Sequence, residues 1–214
     1  MSVIHKTTIT PTKLELLAAW LPSQPWYAAT GSAPEPVKAG GFRLDDPEGE
    51  VGIEFMVVAD ASAPEPVAYH VPMTYRGAPL EGAEGALIGT VEHGVLGSRW
   101  VYDAAHDPVA VGQVLALLRG EAQPWAQSID GAPDPTVAVE GGPVAAEGLD
   151  AAAAAAATTA EDTEVRFGGG QGVLRIVRVL RPGGPEGGAA GVVTGWTAPG
   201  GSAHRGVFAA LDGA

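Results

Sequence analysis

His93, Asp103, His106 and Asp107 are the residues of this 214-residue chain whose types best suit a metal ion. A metal site needs two or more imidazoles or carboxylates that converge, with outer partners that orient them. Their contexts point to other work. Asp107 stands before Pro108, the pairing of a helix N-cap with a first-turn proline. Glu92-His93 runs into Gly94 like a turn. We therefore assign no metal ligand, and expect structural polar contacts instead.

Other candidates for chemistry also read as structure. Ser98 sits in Leu96-Gly97-Ser98-Arg99-Trp100, which breaks the G-x-S-x-G frame of a nucleophile elbow. Asp45 and Asp46 lie in a turn sequence, where carboxylates are solvated. Gly168-Gly169-Gly170-Gln171-Gly172 has Val173 where a kinase-type loop needs its third glycine, and it lacks a Walker lysine. It reads as a hairpin turn. No catalytic residue and no cofactor is assigned. The aromatic residues carry more information. Trp26-Tyr27, Tyr75-Arg76, and Trp100 with its neighbours Arg99, Tyr102 and Asp103 bring rings next to charge. Rings and a guanidinium bind sugar faces or a partner surface. The same tryptophans also suit the core of a chain rich in small residues, and both readings stay open. Arg76 and Arg99 have Glu84, Glu92 and Asp103 as possible structural partners.

The elements that would position these residues follow from pattern. Ile4–Ile9 has β character. Thr10-Pro11 reads as a helix start, and Leu14, Leu17, Ala18 and Leu21 recur at helical spacing until Pro22 and Pro25. Residues 37–44, 51–59 and 67–75 look like strands, the first two joined by a turn at 45–50. Val111, Leu115 and Leu118 predict a second helix after Pro108, which Gly120 can close. Residues 164–167, 173–180, 191–197 and 206–211 read as strands with Gly-rich turns.

Composition divides the chain in three. Residues 1–127 are mixed and periodic. Residues 128–163 hold acids but no Lys or Arg, and Pro133, Pro135, Pro143 and the Ala151–Ala157 run read as a disordered acidic linker with a short alanine helix. Residues 164–214 carry Arg166, Arg175, Arg178, Arg181 and Arg205, a basic tail that can dock on the acidic front segment or simply expose its arginines. The fold expected is α+β: a curved antiparallel sheet packed by one or two helices, plus a C-terminal β segment.

Net charge of −13 and no cluster of Lys or Arg argue against nucleic acid and anionic membrane as partners. The absence of cysteine excludes disulfides, zinc ribbons and thiol nucleophiles. Residues 1–10 lack the apolar stretch of a signal peptide, and the alanine run is far shorter than the ~20 residues of a membrane span, so a cytoplasmic location is expected.

One family resemblance runs through the front segment. AWLPSQPWYA from Ala19, YHVPMTYRGAPL from Tyr69 and ALIGTVEHGVLGSRWVYDAAHDP from Ala86 occur in the order and at the distances of the N-terminal cap domain of maltokinases and related sugar kinases. The resemblance implies a cystatin-like sheet and helix over residues 1–127, with Trp26, Tyr27, Tyr75, Arg76, His93, Arg99, Trp100, Tyr102 and Asp103 as family-like positions. VLRIVRVLRPG at 173–183 resembles the kinases' strand that carries the lysine for ATP phosphates, and the position of that lysine holds Arg175, a poor replacement. With the chain ending at Ala214, no second kinase lobe is expected, and phosphoryl transfer needs a metal, a base and a phosphate cradle together. The resemblance implies a non-catalytic interaction or regulatory module, with a sugar kinase or an enzyme of α-glucan, maltose or trehalose metabolism as partner. A binder of α-glucan or nucleotide is the alternative. An ATP-dependent sugar kinase is a third reading that the residues do not support.

Overall fold

The computed structural model describes residues 8–62, 65–128, 131–141, 148–170, 172–187 and 189–213. Ile4–Thr7 of the first expected strand, Pro143 and Gln171 lie outside them.

Strand β3 (Gly52–Asp60) shows how the sequence builds the layers. Its residues are buried almost throughout, and successive side chains point to opposite faces. Ile53, Phe55, Val57 and Ala59 enter one core cluster, while Met56 and Val58 enter another. Each cluster takes one α-helix. α1 (Lys13–Trp20) buries Leu17 with Met56 and Val58. α2 (Pro108–Leu118) buries Ala110, Val111, Val114, Leu115, Leu117 and Leu118 with Phe55 and Val57. The sheet is thus covered on both faces near its middle, which is why β3 has no polar alternation.

The helix ends follow local rules. Thr12 caps α1 in a reciprocal capping box with Glu15. The helix therefore starts two residues later than the Thr10-Pro11 reading, and the Thr10–Pro11 peptide bond is cis. Asp107 caps α2 by accepting from the Val109 amide at 3.0 Å, and Pro108 opens that helix. Gly120 turns the chain away with φ 75°.

The strands are β1 (Ile9–Thr10), β2 (Pro36–Asp45), β3, β4 (Ala68–Arg76), β5 (Leu87–His93), β6 (Gly97–Asp103), β7 (Trp125–Ala126), β8 (Ala138–Glu140), β9 (Ala155–Thr158), β10 (Asp162–Arg166), β11 (Val173–Val177), β12 (Ala190–Thr197) and β13 (Ala203–Asp212). They form one 13-stranded sheet in the order β1-β5-β6-β4-β3-β2-β12-β13-β11-β10-β9, with β7 on β2 and β8 on β12. All the named pairs are antiparallel. The sheet also curls back on itself. Beyond β11 the chain returns to β4, where the His70 amide donates to Arg178 O at 2.8 Å and the Leu180 amide to Ala68 O at 2.9 Å.

The expected α+β class is overturned by this count: among the described residues, 13 strands outweigh two α-helices, and the molecule is mainly antiparallel β. The β5–β6 hairpin and much of the segment read as a linker supply the difference. Within 128–163, β8, β9 and the first residues of β10 join the sheet, so disorder is excluded for them. The alanine run makes a short 3-10 turn at Ala151–Ala153, with Asp150 capping it, and then strand β9. Alanine's helix preference yields there to pairing with β10, worth more than a few tenths of a kcal/mol per residue. The glycine run does connect a hairpin, since β10 and β11 pair from Arg166–Val173 onward.

Between the strands lies a cluster of rings, one pair stacked and the others tilted. Phe42 lies on Phe55 at 4.5 Å between centroids, His70 at 4.7 Å from Phe208, and Trp196 at 6.3 Å from Phe208. His70 Nδ1 lies 2.9 Å from Val177 O, where it donates as the neutral tautomer. Burial and the nearby Arg178 charge push this imidazole down to about 3, so it is neutral at physiological pH.

Beside it stands the deepest charge in the molecule. The Arg178 side chain is 0% exposed and donates through Nη2 to both Asp103 oxygens at 2.7 and 2.6 Å. Its Nε donates to Thr163 Oγ1 at 2.9 Å, and its guanidinium lies 5.6 Å from the Trp26 ring. Among the tail arginines paired with carboxylates, this one reaches the front segment; Arg166, Arg175, Arg181 and Arg205 pair with Glu164, Asp212, Glu161 and Glu140. Asp103→Asn should leave that charge uncompensated and cost about 3–5 kcal/mol. Urea unfolding reads this, and a loss under about 1 kcal/mol would contradict it. The double change Asp103→Asn with Arg178→Met should cost less than the sum of the single changes.

Candidate functional site

A pocket of about 430 Å³ opens at the end of the sheet where the β2–β3 turn, β4, the β5–β6 turn and the start of α1 meet. Its floor is Glu54. Register explains the position: Glu54 is an even-numbered residue of β3, on the α1 face with Met56 and Val58, but only two pairs in from the strand's start at the β2–β3 turn. A carboxylate buried there must be compensated. The Lys13 ammonium, carried over the sheet by α1, donates to its two oxygens at 2.8 and 2.6 Å. The Tyr75 hydroxyl donates at 2.8 Å from the next strand. The Gln127 amide donates at 2.7 Å from the segment after β7.

Burial by itself would raise the Glu54 pKa. The Lys13 charge and the hydrogen bonds from Lys13, Tyr75 and Gln127 outweigh it, so the carboxyl is held below its ordinary value. The Tyr75 hydroxyl moves the other way, far up, because burial and the Glu54 charge both oppose phenolate. The floor is therefore an anion at neutral pH, and its donors come from three separate elements. Ile9, Val51, Ile53, Val91 and Leu96 give the walls apolar patches. Arg43, Arg99 and His93 add polar groups. Asp46 is engaged in its own turn, accepting from the Glu48, Glu50 and Val51 amides at 3.1, 2.9 and 2.9 Å.

Of the nine family-like residues, Tyr75, His93 and Arg99 meet at this pocket. The others go elsewhere. Trp26 is buried against Tyr69 and Trp20, 5.6 and 5.7 Å between centroids. Tyr27 donates to the buried Asp60 at 2.6 Å. Burial would raise the Asp60 pKa, but this bond and the amides of Glu35 and Ser62 hold it below its ordinary value. Tyr102 accepts from the Leu80 amide at 2.9 Å, and Trp100 packs with it near Ala83 and Ala86.

The expected partners of the arginines are corrected. Arg76 is bidentate to Asp107 at 2.7 Å through Nε and Nη2, tying β4 to the start of α2. Glu92, expected to pair with an arginine, accepts from Ser98 Oγ at 2.6 Å, and Arg99 donates to Ser98 O at 3.4 Å. The metal-like residues also separate. Asp103 holds Arg178, Asp107 holds Arg76 and caps α2, and His93 Nδ1 accepts from the Leu96 amide at 3.1 Å. Among the described residues, no three His, Asp or Glu side chains are grouped so as to hold a metal. Arg175 is bound to Asp212 at 2.6 Å on the far part of the sheet.

Lys13, Glu54 and Gln127 escape sequence reasoning. A signal existed for Glu54: a lone acid inside Ile53-Glu54-Phe55-Met56-Val57-Val58 must be buried and paired. Nothing in the sequence names its partners, which lie 41 and 73 residues away. If Lys13 sustains the charge, Lys13→Met should move the Glu54 titration upward. Carboxyl-carbon NMR across acid pH reads that shift, and an unmoved titration would show that Tyr75 and Gln127 suffice. The sign for stability follows. With its folded pKa depressed, Glu54 stabilises the fold above its unfolded value of ~4.3 and loses that contribution as pH falls through the folded one.

Residues 20–107 match the family model of the maltokinase N-terminal cap domain, a stretch shorter than half of the chain. No curated protein matches the sequence. Among the described residues, no helix is long and apolar enough to cross a membrane. Glu54, Tyr75, His93 and Arg99 fall inside the matched stretch, whereas Lys13 and Gln127 lie outside it. The molecule thus carries, over residues 20–107, a maltokinase N-terminal cap-like domain, extended on both sides by further elements of the same sheet.

Proposed function

We propose that the protein is a non-catalytic module of the cytoplasm that binds or regulates a sugar kinase or an enzyme of α-glucan, maltose or trehalose metabolism. The match of residues 20–107 to a maltokinase cap carries this reading. The side chains support it. Asp103, Asp107 and Arg76 are committed to ion pairs that hold strands and a helix together. Arg175, at the position resembling the kinase lysine, is engaged by Asp212 and, at 4.0 Å, by Asp162. Affinity capture of the tagged chain from its native cytosol, with mass spectrometry, should recover a sugar kinase or α-glucan enzyme specifically. Recovery of nothing across several salt concentrations would overturn the module reading.

The pocket favours a second reading, a small-molecule binder. A volume of about 430 Å³ is in the range of ligand sites and holds a few placed polar groups among apolar walls. Calorimetry with maltose, glycogen fragments and ATP-Mg²⁺ tests the sugar and nucleotide classes. Absence of heat with all of them at millimolar concentration would remove those classes.

A further inference from the structure

The Lys13 ammonium occupies a site with a recognisable chemistry. It sits on two oxygens of Glu54 at 2.8 and 2.6 Å and 5.4 Å from the centroid of the Tyr75 ring. A carboxylate beside an aromatic face is how a protein holds an ammonium ion, by Coulomb attraction and by the ring quadrupole together. The Lys13 side chain remains 34% exposed while that of Glu54 is 6% exposed, so the cation reaches in from the rim and the anion is the fixed part.

The rest of the pocket asks for donors as well. Gln127 Oε1 is buried with no hydrogen-bond partner, although its amide nitrogen is used by Glu54. Asp45, Asp46 and Glu50 line the wall with Glu54, against Lys13, Arg43 and Arg99. The whole chain carries a net charge of −13, which concentrates cations near its surface. A primary ammonium brings three N–H donors in one compact group, and the two Glu54 oxygens can take two of them.

We infer that this pocket is a binding site for a small molecule bearing a primary amine, with Lys13 as the tethered occupant that such a ligand displaces. The inference rests on the small-molecule reading of the same pocket and names its ligand class. The volume leaves room beyond the ammonium for a neutral body between Val91, Leu96 and Val51, with Arg99 also lining the pocket. Lys13 then works as a gate of modest strength, because each incoming amine must replace an ion pair already made.

The test uses the full chain, with ethylammonium and ethanolamine as probes and tetramethylammonium, ethylene glycol and sodium chloride as controls. Calorimetry on the native protein should give weak, saturable binding of the two primary amines. Lys13→Met keeps the apolar stem but ends one atom short of the ammonium, leaves that position empty and should bind them about tenfold tighter. Tetramethylammonium lacks N–H donors and should bind neither form. Adding Glu54→Gln to Lys13→Met should abolish the response. No saturable binding of either amine by either form up to about 100 mM would overturn the inference. So would an equal response to tetramethylammonium or salt. If Lys13→Met does not fold in buffer, its refolding should be restored by ethylammonium and not by sodium chloride, and lack of restoration counts against the inference. Heat with maltose but not with amines would leave the small-molecule reading standing and reject the ligand class; silence with maltose, glycogen fragments, ATP-Mg²⁺ and both amines rejects the two together.

Discussion

A buried arginine in a chain of this size is an expensive thing to keep, and much of the architecture can be understood as the means of keeping Arg178. Its charge lies where water does not reach, so the fold supplies a full anion to Nη2 and a hydroxyl acceptor to Nε, while the buried Nη1 is left without a hydrogen-bond partner. Asp103 comes from the end of β6, Thr163 from β10, and the Trp26 ring from the loop after α1. Three stretches far apart in sequence are thereby held to one point. The same stretch of chain bonds to β4 through backbone groups at Ala68 and His70, closing the curl of the sheet. The cap-like residues and the C-terminal strands are consequently parts of one sheet, joined by a charge that neither can bury alone.

The second buried ion pair has a different character. Glu54 is sealed, but its cation arrives on an exposed stem at the mouth of a pocket. Both partners of the Arg178–Asp103 pair are enclosed, whereas the Lys13 side chain remains 34% exposed on its Glu54. One pair therefore belongs to the interior and the other to a surface that exchanges with solvent. That contrast, more than pocket size, marks the end of the sheet near Lys13 as the place where a ligand can act.

Aromatic residues illustrate how a plausible functional reading becomes a structural one. Trp26, Tyr27 and Tyr69 form a tilted stack that covers the α1 face, and the polar tips of the two tyrosines are used by Asp60 and the Ala28 amide. Tyr75 differs because its hydroxyl points to a charged group at a cavity and its ring meets an ammonium. Ring and charge were adjacent in sequence at Tyr75-Arg76, but the useful pairing is with Lys13 and Glu54, and Arg76 turns to Asp107.

The sequence by itself determined what depends on neighbours in the chain. Asp107-Pro108 set a helix start, Gly120 its end, the turn at 45–50 a hairpin, and the largely apolar run of β3 a strand. The cap resemblance was legible too, because it rests on linear motifs. Tertiary structure decided the rest. Whether alanines 155–157 become helix or strand depends on a neighbouring edge that needs partners, since alanine's own preference is small beside a ladder of hydrogen bonds. Whether Asp103 binds a metal, a ligand or an arginine depends on a residue 75 positions away. Whether Glu54 is charged depends on where α1 sets Lys13 down. Local preferences are written in short windows, but the compensation of buried charge is a long-range condition, and only the closed sheet brings its terms together.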